Sequence, residues 1–281
     1  MKAFSGRTRV YGIIGDPISH SLSPVFWNAA FSALGEDSVY VPFHVDSQKL
    51  GDAVRGLACL SVKGFNVTSP HKESIVKFLS RLQPPANSLR AVNSVKIFSN
   101  GEMEGSNTDI GGFLSILKKE GVPKKALLLG AGGAAKAVFL GLCESGVETV
   151  FWANRTPGKQ LEPDSKYKTR VVPVPWNEID LIKAISKSEL VVNATSLGWN
   201  KTDSLSALQK SLNFRKLYID LNYCSKSNLL IEAKKCGARV IDGSEMLVNQ
   251  GIESFEFLTG NSAPQEIIRS SVLACLAKEA Q

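Results

Sequence analysis

A two-domain α/β protein is predicted by three features of this 281-residue sequence. The first third alternates strand and helix, a glycine-rich strand-to-helix turn stands near the middle, and a strand–turn–helix rhythm follows it. That rhythm points to a parallel, doubly wound sheet. At about 100–200 residues per domain, the length suits one large domain or two ordinary ones. With 43% hydrophobic and 21% charged residues, the chain can bury a core and is not of disordered composition.

In the first part, Val10 to Gly15 (VYGIIG) reads as a short strand ending in turn residues. Pro24 signals a helix start, VFWNAAFSALG carries apolar residues at helical spacing, and Gly35 is a fitting C-cap. Tyr40 to Val45 and Gly64 to Thr68 read as further strands. Gly111 to Gly121 is an amphipathic helix, and the clearest boundary precedes Ala126, where ALLL opens a buried strand. Strands then read at 126–129, 149–153, 190–193, 217–221 and 239–241, with a helix through about Glu144. Glu162 to Arg170 is polar and is followed by Pro173 and Pro175, so a surface connection is expected there. The tail, Met246 to Leu258 and Pro264 to Glu279, reads as helical and is expected to return to the first domain.

Composition also excludes several functions. Lys and Arg number 33 against 26 Asp and Glu, a net charge of +7. The cations are scattered, in doublets such as Lys118-Lys119 and Lys234-Lys235 near helix ends, with no aromatic-interleaved stripe of a nucleic-acid binder. A positive cleft would instead favour small anionic substrates and phosphate-bearing cofactors. No run approaches the roughly 18–20 apolar residues of a membrane span. The first ten residues lack the apolar core of a secretory signal, so a soluble, cytoplasmic protein is expected. Five dispersed cysteines form no CxxC, and His20, His44 and His71 show no ligand spacing, so neither disulfide framework nor metal site is expected.

The central motif is Gly130-Ala131-Gly132-Gly133-Ala134-Ala135, which fits G-x-G-x-x-A between a strand and a helix. Gly130 permits the tight turn, Gly132 lets backbone approach a pyrophosphate, and Ala135 allows close helix–sheet packing. The helix N-terminus adds N–H groups and a positive dipole end. About 20 residues on, a site for NAD would carry an acid that bonds the ribose 2′-hydroxyl. This chain reads Asn154-Arg155-Thr156 with Lys159 behind, and no acid. A guanidinium can grip a 2′-phosphate in bidentate fashion, so NADP is the expected cofactor; taken alone, Arg155 also reads as a solvated loop arginine.

Three polar segments stand where strands hand over to helices or loops: Ser19 to Pro24, Asn66 to Glu73 (NVTSPHKE), and Asn107-Thr108-Asp109. They suit a small acid bearing several hydroxyls. Through GDPISHSLSP, KGFNVTSPHKE, AVNSV, GSNTD, GAGGAAKA, NRT, NATSLG and DGSEMLVNQG, in this order over nearly the whole chain, the sequence resembles the shikimate dehydrogenase family. The resemblance implies reversible reduction of 3-dehydroshikimate to shikimate with NADPH, a step of chorismate and aromatic amino-acid biosynthesis. It also implies an N-terminal α/β substrate-binding and catalytic domain (1–108 plus 243–281) and a Rossmann-like NADP-binding domain (109–242), with the active site between them.

Carried over by motif, Lys72 and Asp109 match the family's catalytic pair. Alone, Lys72 would read as a surface lysine and Asp109 as a helix N-cap. Ser21 and Ser23 match hydroxyls that hold the substrate carboxylate; Thr68, Asn93, Asp109 and Gln250 match ligands of the ring hydroxyls, and Tyr223 a tyrosine at the acid end. An ST-turn at Ser21 and Ser23, and packing for Tyr223, are the plainer alternatives. Gly130, Ala131, Gly132, Gly133 and Ala134 would hold the pyrophosphate, and Asn154, Arg155 and Thr156 the adenosine phosphate. Asn193-Ala194-Thr195 would close the cofactor loop and Gly243 would lie near the nicotinamide. The implied partners are the small-molecule substrate and NADP, with no nucleic acid, membrane or metal, in a monomer or homodimer. The chain departs from the family pattern at Ser69, Arg90 (usually Gly), Ser94 (usually Thr), Ser106 (usually aromatic), Ile110 (usually Gly), Ser225 and Asn228. None of these removes a catalytic group. A quinate/shikimate dehydrogenase and a non-catalytic pathway-ligand sensor are the competing readings; retention of Lys72 and Asp109 argues against the sensor.

Overall fold

The computed structural model describes residues 4–156, 158–197, 213, 215–223 and 228–279. The chain divides into two compact units, Met1–Thr108 with Val248–Glu279, and Asp109–Leu247. The sequence-predicted α/β class is observed in both. Ser225, a departure from the family pattern, and Cys224, one of the five cysteines, lie outside the described residues.

In the first unit the strands are β1 (Arg9–Gly15), β2 (Ser38–His44), β3 (Gly64–Val67), β4 (Arg81–Leu82), β5 (Ser94–Ile97) and β6 (Met103–Ser106). Their order is β2-β1-β3-β5-β6-β4. The first three are parallel; β5 and β6 are antiparallel additions. Helix α1 (Ser23–Ala33) starts at Pro24, whose fixed φ and missing N–H suit a first turn. It buries Phe26, Trp27, Ala30 and Phe31, one face at helical spacing. Trp27 stacks on Tyr40 with centroids 4.7 Å apart and meets Phe255 at 5.0 Å. Helix α2 (Leu50–Cys59) presents Leu50, Val54 and Leu57 to a second core with Ile14, Phe65, Val67 and Val95. A four-residue turn, α3 (Ala86–Leu89), ends at Arg90, whose φ of 49° lies in the left-handed region. Glycine adopts that conformation without steric cost, which accounts for the residue expected there.

The second unit is a six-stranded sheet, every pairing parallel. It contains β7 (Lys125–Leu129), β8 (Thr149–Ala153), β9 (Arg170–Val174), β10 (Leu190–Asn193), β11 (Leu217–Asp220) and β12 (Arg239–Ile241), in the order β12-β11-β10-β7-β8-β9. The order reverses between β7 and β10, the switch point of a doubly wound sheet. Helices α4 (Asp109–Glu120) and α5 (Gly133–Glu144) pack with Phe113, Ile116, Val138 and Leu142 on one core, and α6 (Glu178–Lys187) with Leu181 and Ile185 on the other. Helix α7 (Asn228–Lys235) adds Ala233 to the latter. Asn177 caps α6 by accepting the Asp180 N–H at 3.0 Å.

The tail forms α8 (Gly243–Thr259) and α9 (Gln265–Glu279); α9 packs on α1. Gly251 faces the Phe26 ring so closely that a Cβ would come within 2.8 Å of it. Two expectations need correction. The connection expected from Glu162 to Arg170 has neither helix nor strand as far as residue 169, but it leads straight into a strand not foreseen, β9, because an outermost strand tolerates Pro173. Helix α4 starts at Asp109, two residues before the apolar pattern begins. Among the described residues no helix is long and apolar enough to cross a membrane.

Candidate active site

In the first unit, the strand order carries most of the site residues to one edge of the sheet. Parallel β1 and β3 end there, and antiparallel β5 begins there. Ser21 and Ser23 follow β1, Thr68 follows β3, and Asn93 precedes β5. Thr68 N–H donates to the Ile14 carbonyl at 3.0 Å, and its methyl fills the space where a Cβ on Gly15 would lie, 2.4 Å away. The Lys72 carbonyl accepts the Val92 N–H at 2.8 Å, which seats this lysine beside Asn93. Asn93 is buried, and its Oδ1 accepts the Thr108 N–H at 2.9 Å. Its Nδ2 donates to Thr108 Oγ1 at 3.0 Å and to Gln250 Oε1 at 3.4 Å. Asp109, buried, follows Thr108 and opens α4.

Ser21 Oγ accepts the Ser23 N–H at 3.3 Å, the bond of the ST-turn that stood as the plainer alternative for this pair. That bond uses the oxygen as acceptor and leaves the chemistry of its proton intact. Ser23 is 7% exposed and bonds Tyr40, whose phenol burial holds well above its ordinary range, an effect the Ser23 bond moderates. Tyr40 O–H donates to Asn66 Oδ1 at 2.8 Å. Asn66 Nδ2 in turn donates to the Asn93 carbonyl, Ser94 Oγ and Ser254 Oγ at 2.9, 2.9 and 2.7 Å. Asn66 is therefore the node behind the substrate-side residues. Sequence reasoning gives it no role of its own, although a carboxamide inside the four buried residues of β3 (GFNV) is a signal in itself. Ser94 is fully buried in this network, donating to Asn93 Oδ1 at 3.1 Å.

The residues expected from the sequence to meet a dinucleotide follow the carboxyl ends of β7, β8, β10 and β12 in the second unit. Gly130 ends β7 with φ of 103°, and a Cβ there would meet the Ala194 carbonyl oxygen at 2.8 Å. Only glycine closes this turn against the Asn193-Ala194-Thr195 loop. Trp152, fully buried, donates its indole N–H to the Gly130 carbonyl at 2.6 Å, a brace invisible to sequence spacing. A Cβ added at Gly132 would meet nothing within 4 Å, and α5 begins after it with no side-chain cap. Open space over uncapped N–H groups fits a pyrophosphate. Ala131, Gly133 and Ala134 form the rest of this turn and the first residues of α5. Asn154 folds back to bond the Thr156 carbonyl at 2.8 Å, while Arg155, Thr156 and Lys159 are exposed on the loop after β8.

Thr195 Oγ1 donates to Asn193 Oδ1 at 2.6 Å. Buried Asp220 accepts from Asn193 Nδ2 and from the N–H and Nδ2 of Asn222 at 3.1, 3.0 and 2.8 Å, tying the ends of β10 and β11 together. Tyr223, half-buried, follows this tie. Gly243 lies against Leu221, whose carbonyl oxygen would be 2.1 Å from an added Cβ, and its N–H donates to the Asn222 carbonyl at 3.2 Å.

The structure also assembles a group that sequence spacing did not show: Asp16, His44 and Asp46 each bring a potential ligand atom within 4.8 Å of the others. Ligands 2.0–2.2 Å from a tetrahedral metal lie only about 3.5 Å from one another. His44 and Asp46 are exposed, and His44 Nε2 is 3.6 Å from Asp16 Oδ1, so the group reads as a surface ion-pairing cluster.

The strand order, glycine turn and open helix terminus of the second unit define a dinucleotide-binding α/β protein, here joined to a unit with a polar sheet edge. Residues 13–95 match the shikimate dehydrogenase substrate binding domain, and residues 243–273 the shikimate 5'-dehydrogenase C-terminal domain. A protein of Synechococcus sp. (strain JA-3-3Ab) named shikimate dehydrogenase (NADP(+)) is 39% identical, over 99% of this chain and 97% of its own length. The chain belongs to the shikimate dehydrogenase family. The crystal structure of shikimate dehydrogenase from Aquifex aeolicus superposes with a TM-score of 0.87 at 38% identity, covering 96% of this chain and 99% of that one. That of shikimate 5-dehydrogenase from Thermus thermophilus, in complex with NADP(H) and shikimate, gives 0.82 at 32% identity, covering 95% and 99%.

Proposed function

We propose that this chain catalyses the reversible, NADP-dependent reduction of 3-dehydroshikimate to shikimate. The observation that carries the reading is the polar edge of the first unit, where the buried carboxamide of Asn93 bonds both Thr108 and Gln250 beside the strand end that carries Thr68, in a chain aligned end to end with proteins of that name. In this reading Ser21, Ser23 and Tyr223 hold the substrate carboxylate, and Thr68, Asn93, Asp109 and Gln250 its hydroxyls. Gly130 to Ala134 cradle the pyrophosphate, Thr195 closes the cofactor loop, Gly243 lies near the nicotinamide, and Asn154, Arg155, Thr156 and Lys159 hold the adenosine 2′-phosphate.

The bound dinucleotide supplies the hydride. Lys72 stabilises the oxyanion that develops at the carbonyl and delivers the proton that completes the alcohol. In the same reading Asp109 holds the ammonium in place. The division into substrate-binding (1–108 with the tail) and NADP-binding (109 onward) domains follows from the same reading. So do a cytoplasmic setting and a monomeric or homodimeric state, which light scattering reads directly. The test is spectrophotometric: NADPH should appear when purified protein meets shikimate and NADP⁺. Faster turnover of quinate with NAD⁺ would replace this reading by a quinate dehydrogenase, and no turnover of either would leave a ligand sensor.

A further inference from the structure

His71 directly precedes Lys72, and its imidazole is fully buried. Nε2 lies 2.6 Å from the Val45 carbonyl oxygen, just beyond β2, whereas Nδ1 is buried with no hydrogen-bond partner among the described residues. A carbonyl oxygen only accepts, so the ring proton resides on Nε2. Nδ1 then faces no donor among the described residues. A buried polar atom left unmatched costs about 1–3 kcal/mol, so a site that retains one calls for a reason.

The backbone around the ring supplies that reason. The segment from Thr68 to Lys72 is bound to β1 by Thr68 N–H to Ile14 (3.0 Å) and by the Asp16 N–H to the Ser69 carbonyl (3.0 Å). It is bound to the Asn93 side by Val92 N–H to the Lys72 carbonyl (2.8 Å). Within the segment His71 N–H closes on the Thr68 carbonyl at 2.9 Å. The imidazole adds a tie in a third direction, to the end of β2, and Val45 itself donates to the Gly15 carbonyl at 3.1 Å. Two anchors leave a short segment free to rock about the line joining them; a third, off that line, removes the freedom.

We propose that His71 is a positioning residue: as the Nε2–H tautomer it straps the Thr68–Lys72 segment to the end of β2 and so fixes where the Lys72 side chain starts. The proposal rests on the reading of Lys72 as the proton donor. It is tested on the full-length protein with His71→Leu, which removes the donor, and His71→Gln, which keeps an N–H at similar reach. Because misplacing a reacting group by about 1 Å can cost up to ~100-fold in rate, His71→Leu should lower kcat at least tenfold. KM for NADP⁺ should stay within twofold, and the limb of the kcat–pH profile that reports the proton donor should shift. His71→Gln should recover most of the rate and the wild-type pH profile.

Nitrogen-15 NMR of the histidine ring in the wild-type protein should show a protonated Nε2 and an unprotonated Nδ1, a readout that survives if the leucine variant does not fold. A proton on Nδ1, wild-type kcat in His71→Leu, or equal losses in both variants overturns the proposal. Lys72→Met, measured in parallel, separates the two readings. Full activity in that variant removes Lys72 from the chemistry and the strap with it, whereas an inactive Lys72→Met beside a fully active His71→Leu removes the strap alone.

Discussion

The two units position their side chains by opposite means. In the second, the candidate residues follow the carboxyl ends of β7, β8, β10, β11 and β12, and local backbone geometry shapes the central turn: a glycine at positive φ, a glycine beneath open space, a helix start. In the first, side chains hold side chains. Asn66 alone joins Tyr40, Asn93, Ser94 and Ser254, residues up to 188 positions from it in sequence. A dinucleotide offers a long phosphate that backbone amides can grip, while a small polyhydroxylated acid must be met by separate polar groups. The contrast predicts that the first unit tolerates substitution of its polar residues poorly and that the second is modular.

The largest effect should fall on chemistry. Replacing Lys72 by methionine should lower kcat by roughly 10²–10⁴-fold, with the Kd for NADP⁺, read by titration calorimetry, unchanged. Next is the node of the first unit. Asn66→Leu strips partners from buried polar groups and should cost about 2–4 kcal/mol of stability, visible in denaturant unfolding; a loss below about 0.5 kcal/mol would show that the network is dispensable. In the second unit, Arg155→Ala should weaken NADP⁺ by about 1.5–3 kcal/mol and NAD⁺ hardly at all, and equal losses would show that the guanidinium does not read the extra phosphate.

A milder effect concerns Tyr40. Its folded-state phenol is raised by burial, so between the unfolded and folded values the native state holds the extra proton. The stability this proton confers is fully present below pH about 10 and is lost as pH rises toward the folded value. Tyr40→Phe should flatten that alkaline decline in thermal unfolding. Smallest is Arg90→Gly, which relieves a left-handed residue at some cost in unfolded-state entropy and should raise stability by at most about 1 kcal/mol.

How far the sequence can be read follows the same division. The turn from Gly130 to Ala135 is recognisable because its chemistry sits in consecutive residues flanked by a strand and a helix, and β7, β8 and β10 stand out as short apolar runs. Strands β5 and β6 leave no such trace: SVKI and MEGS are four residues each, polar in part, and owe their conformation to neighbours in the sheet. Strand β9 is hidden by Pro173. The bonds from Trp152 to Gly130, from Asn66 to Asn93 and from His71 to Val45 join residues 22 to 27 positions apart, and no local pattern encodes them. The motifs of the family contain Asn66 and His71 beside Thr68 and Lys72, but spacing along the chain does not show that these two are the residues bonded to distant strands.

The arrangement of the parallel sheet also bears on how the protein behaves when crowded. Its outermost strands are the places where a second chain could dock and extend the ladder. One border, β9, carries Pro173, which has no N–H to offer a newcomer; the other, β12, is three residues long and begins with the exposed cation of Arg239. Both margins are thereby made poor templates for runaway stacking, and a hydrophobic parallel sheet can stay dispersed at high concentration.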